Sequence, residues 1–78
     1  MANTPETTLR DGNLKATIWK NVGENGDFFT VTLTRTYTDE AGNYHDSSSF
    51  SGSELLRIAH LARRAYDATS ELRQREAS

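Results

Sequence analysis

Two segments of this 78-residue chain hold residue types that could do chemistry. His45 and Asp46 stand just before Ser47-Ser48-Ser49, which are the side chains of a nucleophilic hydrolase. A triad must converge in space, whereas neighbours along a strand point to alternate faces, so an exposed polar edge strand accounts better for this segment. Asp39-Glu40-Ala41-Gly42-Asn43 is oxygen-rich like a cation loop. It is too short for a calcium hand, which needs a longer frame with ligands at set positions and a terminal glutamate, and it reads as a solvated hairpin. His60 falls beside Arg57, Arg64 and Asp67 on the polar side of a candidate helix and has no evident metal partner. There is no Gly-rich phosphate loop, no histidine pair at helical spacing and no nucleophile elbow. Cysteine is absent, which removes disulfides and thiolate zinc sites together. The chain is therefore expected to bind rather than catalyse, with no cofactor and no metal.

The remaining candidate is a surface. In Phe28 to Thr38, the residues Phe29, Val31, Leu33 and Tyr37 alternate with Phe28, Thr30, Thr32, Thr34, Thr36 and Thr38, giving one apolar face and one threonine face. If the preceding strand pairs beside it with Ala16 and Ile18 inward, then Lys15, Thr17 and Trp19 point outward with Phe28, Thr30, Thr32 and Thr34. Aromatic rings stack on unpaired bases, hydroxyls reach phosphates or base edges, and lysines neutralise the backbone. These seven residues are the candidate nucleic-acid site. Outward threonines also occur on any solvated strand, and Trp19 could instead cover a second small core.

Several elements must position this face. Asp11-Gly12 is a hairpin signal between a short strand, Thr7 to Arg10, and a second, Leu14 to Lys20. Asn21 to Asp27 reads as a loop, Phe28 to Thr38 as the longest strand, Asp39 to Asn43 as a hairpin loop, and Tyr44 to Phe50 as a polar edge strand. Ser51-Gly52-Ser53-Glu54 fits a capping box that opens a helix running to about Leu72. The fold class is thus α+β, an antiparallel β-meander of three or four strands followed by one long C-terminal helix, with 7–72 as a single ββββα domain and 1–6 and 73–78 as disordered tails. The helix carries apolar residues over an arc of roughly 240°, more than one sheet face needs. That surplus predicts a second contact besides the sheet, with either a partner subunit or a ligand, and a homodimer is expected with Leu56, Leu61, Ala65, Ala68 and Leu72 lining the interface.

Composition is consistent with a small binding domain. A chain this short builds a thin core, and with disulfides and metals removed, self-association is the support that remains. The formal net charge of -2 argues weakly against general polyanion binding. No apolar run approaches the ~20 residues that span a bilayer, and the N-terminal residues lack the regions of a signal peptide, so a cytoplasmic location without membrane contact is expected.

From Phe29 to Leu61 the chain resembles the sheet-and-helix segment of the transcriptional-coactivator/whirly type of single-stranded-DNA-binding proteins. The likeness rests on Arg35-Thr36-Tyr37-Thr38-Asp39, the hairpin Gly42, Ser49-Phe50-Ser51 and the helical Leu55, Leu56 and Leu61. Trp19-Lys20-Asn21 followed by Gly26-Asp27-Phe28-Phe29-Thr30-Val31-Thr32 is similar to a group of small bacterial and phage proteins. The first resemblance implies a homodimer whose helices pack together and whose curved sheets offer a channel to single-stranded DNA or RNA. That family carries cations after the hairpin glycine, where this chain has Asn43-Tyr44-His45-Asp46-Ser47-Ser48-Ser49. The functional expectation is weak, sequence-tolerant single-strand binding. The alternative is a protein–protein adaptor, or an accessory protein of a mobile element, acting through the helix or the edge strand.

Overall fold

The computed structural model describes residues 4–77. Its elements are β1 (Thr4–Asp11), β2 (Leu14–Gly23), β3 (Gly26–Thr38), β4 (Tyr44–Ser47), a 3-10 turn (Gly52–Glu54) and α1 (Leu55–Ala77). All strand pairs are antiparallel and the sheet order is β1-β2-β3-β4, so the chain is an α+β meander closed by one C-terminal helix.

Turn chemistry sets the register. Asp11 pairs with Leu14 across Gly12 and Asn13, and Gly12 has φ +59°, which a side chain resists. A Cβ there would also lie 2.6 Å from Nη2 of Arg57, the nitrogen that donates to the Asp11 carbonyl at 2.8 Å and fastens the helix to this turn. The expected loop from Asn21 to Asp27 is shorter in fact. Gly23 pairs with Gly26 across Glu24 and Asn25, so the two strands continue almost to the tip, and Gly26 at φ +122° takes the turn's strain.

Other boundaries also shift. Thr4–Glu6, expected in a tail, belong to β1, with a bulge between Pro5 and Thr7; proline is tolerated on an edge strand. β4 ends at Ser47, where the Ser47 hydroxyl accepts the Ser49 N–H at 3.1 Å and Arg35 Nε donates to the Ser49 carbonyl at 3.0 Å. At the other end α1 runs to Ala77 through Arg73-Gln74-Arg75-Glu76, since these residues favour helix without needing an apolar face. The parts of the expected tails at Met1–Asn3 and Ser78 lie outside the described residues.

The capping box is present: the Glu54 carboxylate accepts the Ser51 N–H at 2.9 Å. Backbone and side-chain hydrogen bonds to Ser51 hold the Glu54 carboxyl below its ordinary pKa, with Asn13 and Arg35 adding to this.

Leu14, Ala16 and Ile18 of β2 meet Ile58, Leu61 and Ala65 of α1 in the buried core, with Leu9, Phe29, Leu33, Phe50, Ala68 and Leu72 packed around it. This placement corrects the proposed dimer set. Leu61 and Ala65 are fully covered by the chain's own sheet, and Ala68 and Leu72 pack on the same core. Spaced three and four residues apart, Ile58, Leu61, Ala65, Ala68 and Leu72 form a single stripe aimed at the sheet. Only Leu56, 84% exposed, lies on another side of the helix. Among the described residues, no helix is long and apolar enough to cross a membrane.

Candidate functional site

The register decides which side chains share a face, because directly opposed residues of an antiparallel pair project to the same side. Lys15 pairs with Thr34, Thr17 with Thr32, Trp19 with Thr30 and Asn21 with Phe28. The buried Leu14, Ala16 and Ile18 alternate with Lys15, Thr17 and Trp19, so all seven candidate residues lie together on the face away from α1. Further pairings add Arg10 opposite Lys15, and Asp46 opposite Thr36. An Asp11-Gly12 turn would set Arg10 opposite Asn13; the turn instead falls on Gly12 and Asn13, and this shift is what brings Arg10 opposite Lys15. The approach of Asp46 needed the β3–β4 register.

The two ends of the face differ. At the β2–β3 tip, Trp19 is half-buried and its indole N–H donates to the Thr32 hydroxyl at 3.0 Å. Asn21 Nδ2 donates to the Thr30 hydroxyl at 2.9 Å, and Phe28 is 52% exposed at the diagonal position next to Trp19. At the other end, Lys15 Nζ sits 3.3 Å from Asp46 Oδ2, and the Thr36 hydroxyl donates to Asp46 Oδ1 at 2.8 Å. The Thr36 bond, then Lys15, holds the Asp46 carboxyl below its ordinary pKa. The Thr34 hydroxyl oxygen is buried and has no hydrogen-bond partner among the described residues.

Chemistry around the β3–β4 hairpin is structural. Asp39 Oδ1 accepts the N–H groups of Ala41 and Asn43 at 3.0 and 2.9 Å, while Oδ2 lies 2.8 Å from His45 Nε2. His45 foremost, then the Asn43 backbone, lowers the Asp39 pKa. The His45 ring stacks on Tyr37 with centroids 5.4 Å apart, and Arg35 Cζ lies 5.2 Å from the centre of the Tyr37 ring. His45 and Asp46 point to opposite faces, and the Asp39 oxygens are engaged within the loop. His60 is exposed. Among the described residues no three His, Cys, Asp or Glu side chains gather as a metal site. Compared with known proteins, the chain matches no family model, no curated protein and no solved structure.

Proposed function

We propose that the open face of the sheet binds single-stranded nucleic acid weakly and with little sequence preference. One observation carries this reading. Trp19 is oriented by its bond to Thr32 on a face that no other element covers among the described residues, and Phe28 is exposed on the same face nearer the β2–β3 turn. The two rings lean apart, the Trp19 indole towards Thr32 and the Phe28 ring over Gly23, so each offers its own stacking surface, worth about 1–3 kcal/mol per base. Arg10 and Lys15 lie further along the face, with Asp46 offsetting part of their charge. Stacking therefore outweighs phosphate contact. For one or two phosphates neutralised, log K falls against log salt with a slope of only about -0.7 to -1.4. Titration of Trp19 fluorescence with an oligothymidylate at several salt concentrations tests this, and a steep slope or unchanged emission contradicts it. In this reading the working unit is a cytoplasmic homodimer.

A protein–protein adaptor is the second reading. Leu55 and Leu56 are 54% and 84% exposed at the start of α1, apolar side chains that a partner would cover. Leu56→Ser would then abolish partner capture and leave oligonucleotide binding intact.

A further inference from the structure

The outer edge of β3 is mostly bare. β3 spans thirteen residues, but β4 pairs only with Arg35 to Thr38. Gly23 and Gly26 close the β2–β3 hairpin, and the Thr36 N–H donates to the Asn13 carbonyl at 2.8 Å, so even-numbered residues of β3 aim their backbone groups at β2. Asp27, Phe29, Val31 and Leu33 consequently aim theirs outward, where no strand lies among the described residues. This open ladder runs from Gly26 to Thr34, about 30 Å at the rise of a strand.

Bare edges invite pairing unless they are guarded by proline, lysine or a bulge. The opposite edge, β1, has Pro5, Glu6, a bulge and Arg10. Gly26-Asp27-Phe28-Phe29-Thr30-Val31-Thr32-Leu33-Thr34 has none of these devices, and its only charge is Asp27. Alongside it on the helix side runs a shallow apolar groove of about 240 Å³, formed by Val31, Leu33, Ala62, Ala65, Tyr66 and Thr69. Val31 is 38% and Tyr66 63% exposed there.

We infer that this edge pairs with the same edge of a second copy, antiparallel, about a two-fold axis at Phe29. That register sets Phe29 against Phe29, Asp27 against Val31 and Phe28 against Thr30. No like charges meet, Phe29 faces its own copy on the helix side while each Asp27 is already paired with Lys20 of its own chain at 3.4 Å, and a symmetric contact of this kind closes on itself. The partner's Glu24-Asn25 turn then falls opposite Leu33 and Thr34, short of the position that Ser47 occupies beside Arg35. A second copy suits this edge better than a foreign strand, because the segment offers almost no charge by which to select one, and its alternating pattern is complementary to itself. The pairing replaces the helix-packed dimer implied by the sequence. It makes the two sheets continuous and brings both Trp19 platforms towards the dyad, but it stands without the nucleic-acid reading.

Sedimentation of the whole chain without ligand, from micromolar to millimolar concentration, is expected to show a reversible dimer. In the wild-type protein, the amides of Phe29 and Val31 should become protected from hydrogen exchange as concentration rises. Val31→Pro removes an outward N–H that makes no bond among the described residues, so it should keep the circular dichroism of the fold and raise the dissociation constant at least about tenfold. In this cysteine-free chain, Phe29→Cys should give a disulfide-linked dimer on oxidation, since hydrogen-bonded opposed residues lie about 5.5 Å apart. A monomer at every concentration overturns the inference. So does a dimer in which the Phe29 and Val31 amides stay unprotected, or one that Leu56→Cys cross-links and Phe29→Cys does not. Oligonucleotide binding by a strict monomer would sink the dimer alone, while a dimer of this geometry that leaves oligonucleotides unbound would sink only the binding reading.

Discussion

The indole of Trp19 makes one hydrogen bond, to Thr32, on a solvent-facing surface. Exposed bonds of this kind contribute about 0.5–1.5 kcal/mol, so Trp19→Ala should destabilise the fold by about 1 kcal/mol in urea unfolding. A loss of about 3 kcal/mol or more would instead mark Trp19 as a core residue. Thr34 makes the opposite case. Its buried hydroxyl has no partner, so Thr34→Val should leave stability unchanged or raise it by up to about 1 kcal/mol. A clear loss would show that the hydroxyl is bonded after all. The positions of both residues on the outward face were legible from the alternation in β2 and β3. The burial of the Thr34 oxygen was not, because it depends on how neighbouring side chains lie across the sheet.

At the scale of elements, the β3–β4 hairpin depends on one carboxylate. The Asp39 pKa is lowered, chiefly by His45, so the ionised form stabilises the loop above the ordinary Asp range. That contribution is lost as pH falls through the lower value of the folded state. The protection of the Ala41 and Asn43 amides, both bonded to Asp39, relative to their intrinsic exchange should fall in that acidic window and be retained at neutral pH. Equal protection at both would disconnect the loop from Asp39. In α1, Leu61 is fully buried, and Leu61→Ala should cost about 2–5 kcal/mol by thermal or denaturant unfolding. Leu61→Glu, which a helix dimer would have made a test of association, should unfold the chain. A well-folded Leu61→Glu protein would reverse this assignment. Periodicity revealed the helix and its cap. It could not divide an arc of roughly 240° into a side that packs and a side that does not, because Leu56 and Leu61 are equally apolar in sequence. The same limit hid the helix end, where Arg73, Gln74 and Arg75 continue the helix without apolar spacing.

As a whole, the molecule is two layers thick, with extents of 47 × 29 × 15 Å and a core drawn mainly from β2 and α1. The meander and its helix were readable because hairpin signals, alternation and capping agree with one another. The extent of β4 was less so. Between Tyr44 and Phe50 the residues His45 to Ser49 are all polar, and only the bonds at Ser49 show where pairing stops. Because β4 is so short, the edge of β3 is left open; its outward face is open because α1 packs on the other side of the sheet, and the function proposed for this protein depends on that face. The most direct test is a titration of Trp19 emission with oligothymidylate at low salt, followed in parallel with Trp19→Ala by anisotropy of a labelled strand. The account predicts saturable quenching of the only tryptophan and a loss of about 1–3 kcal/mol of affinity in the variant. Unquenched emission, or equal affinity without the indole, would contradict it.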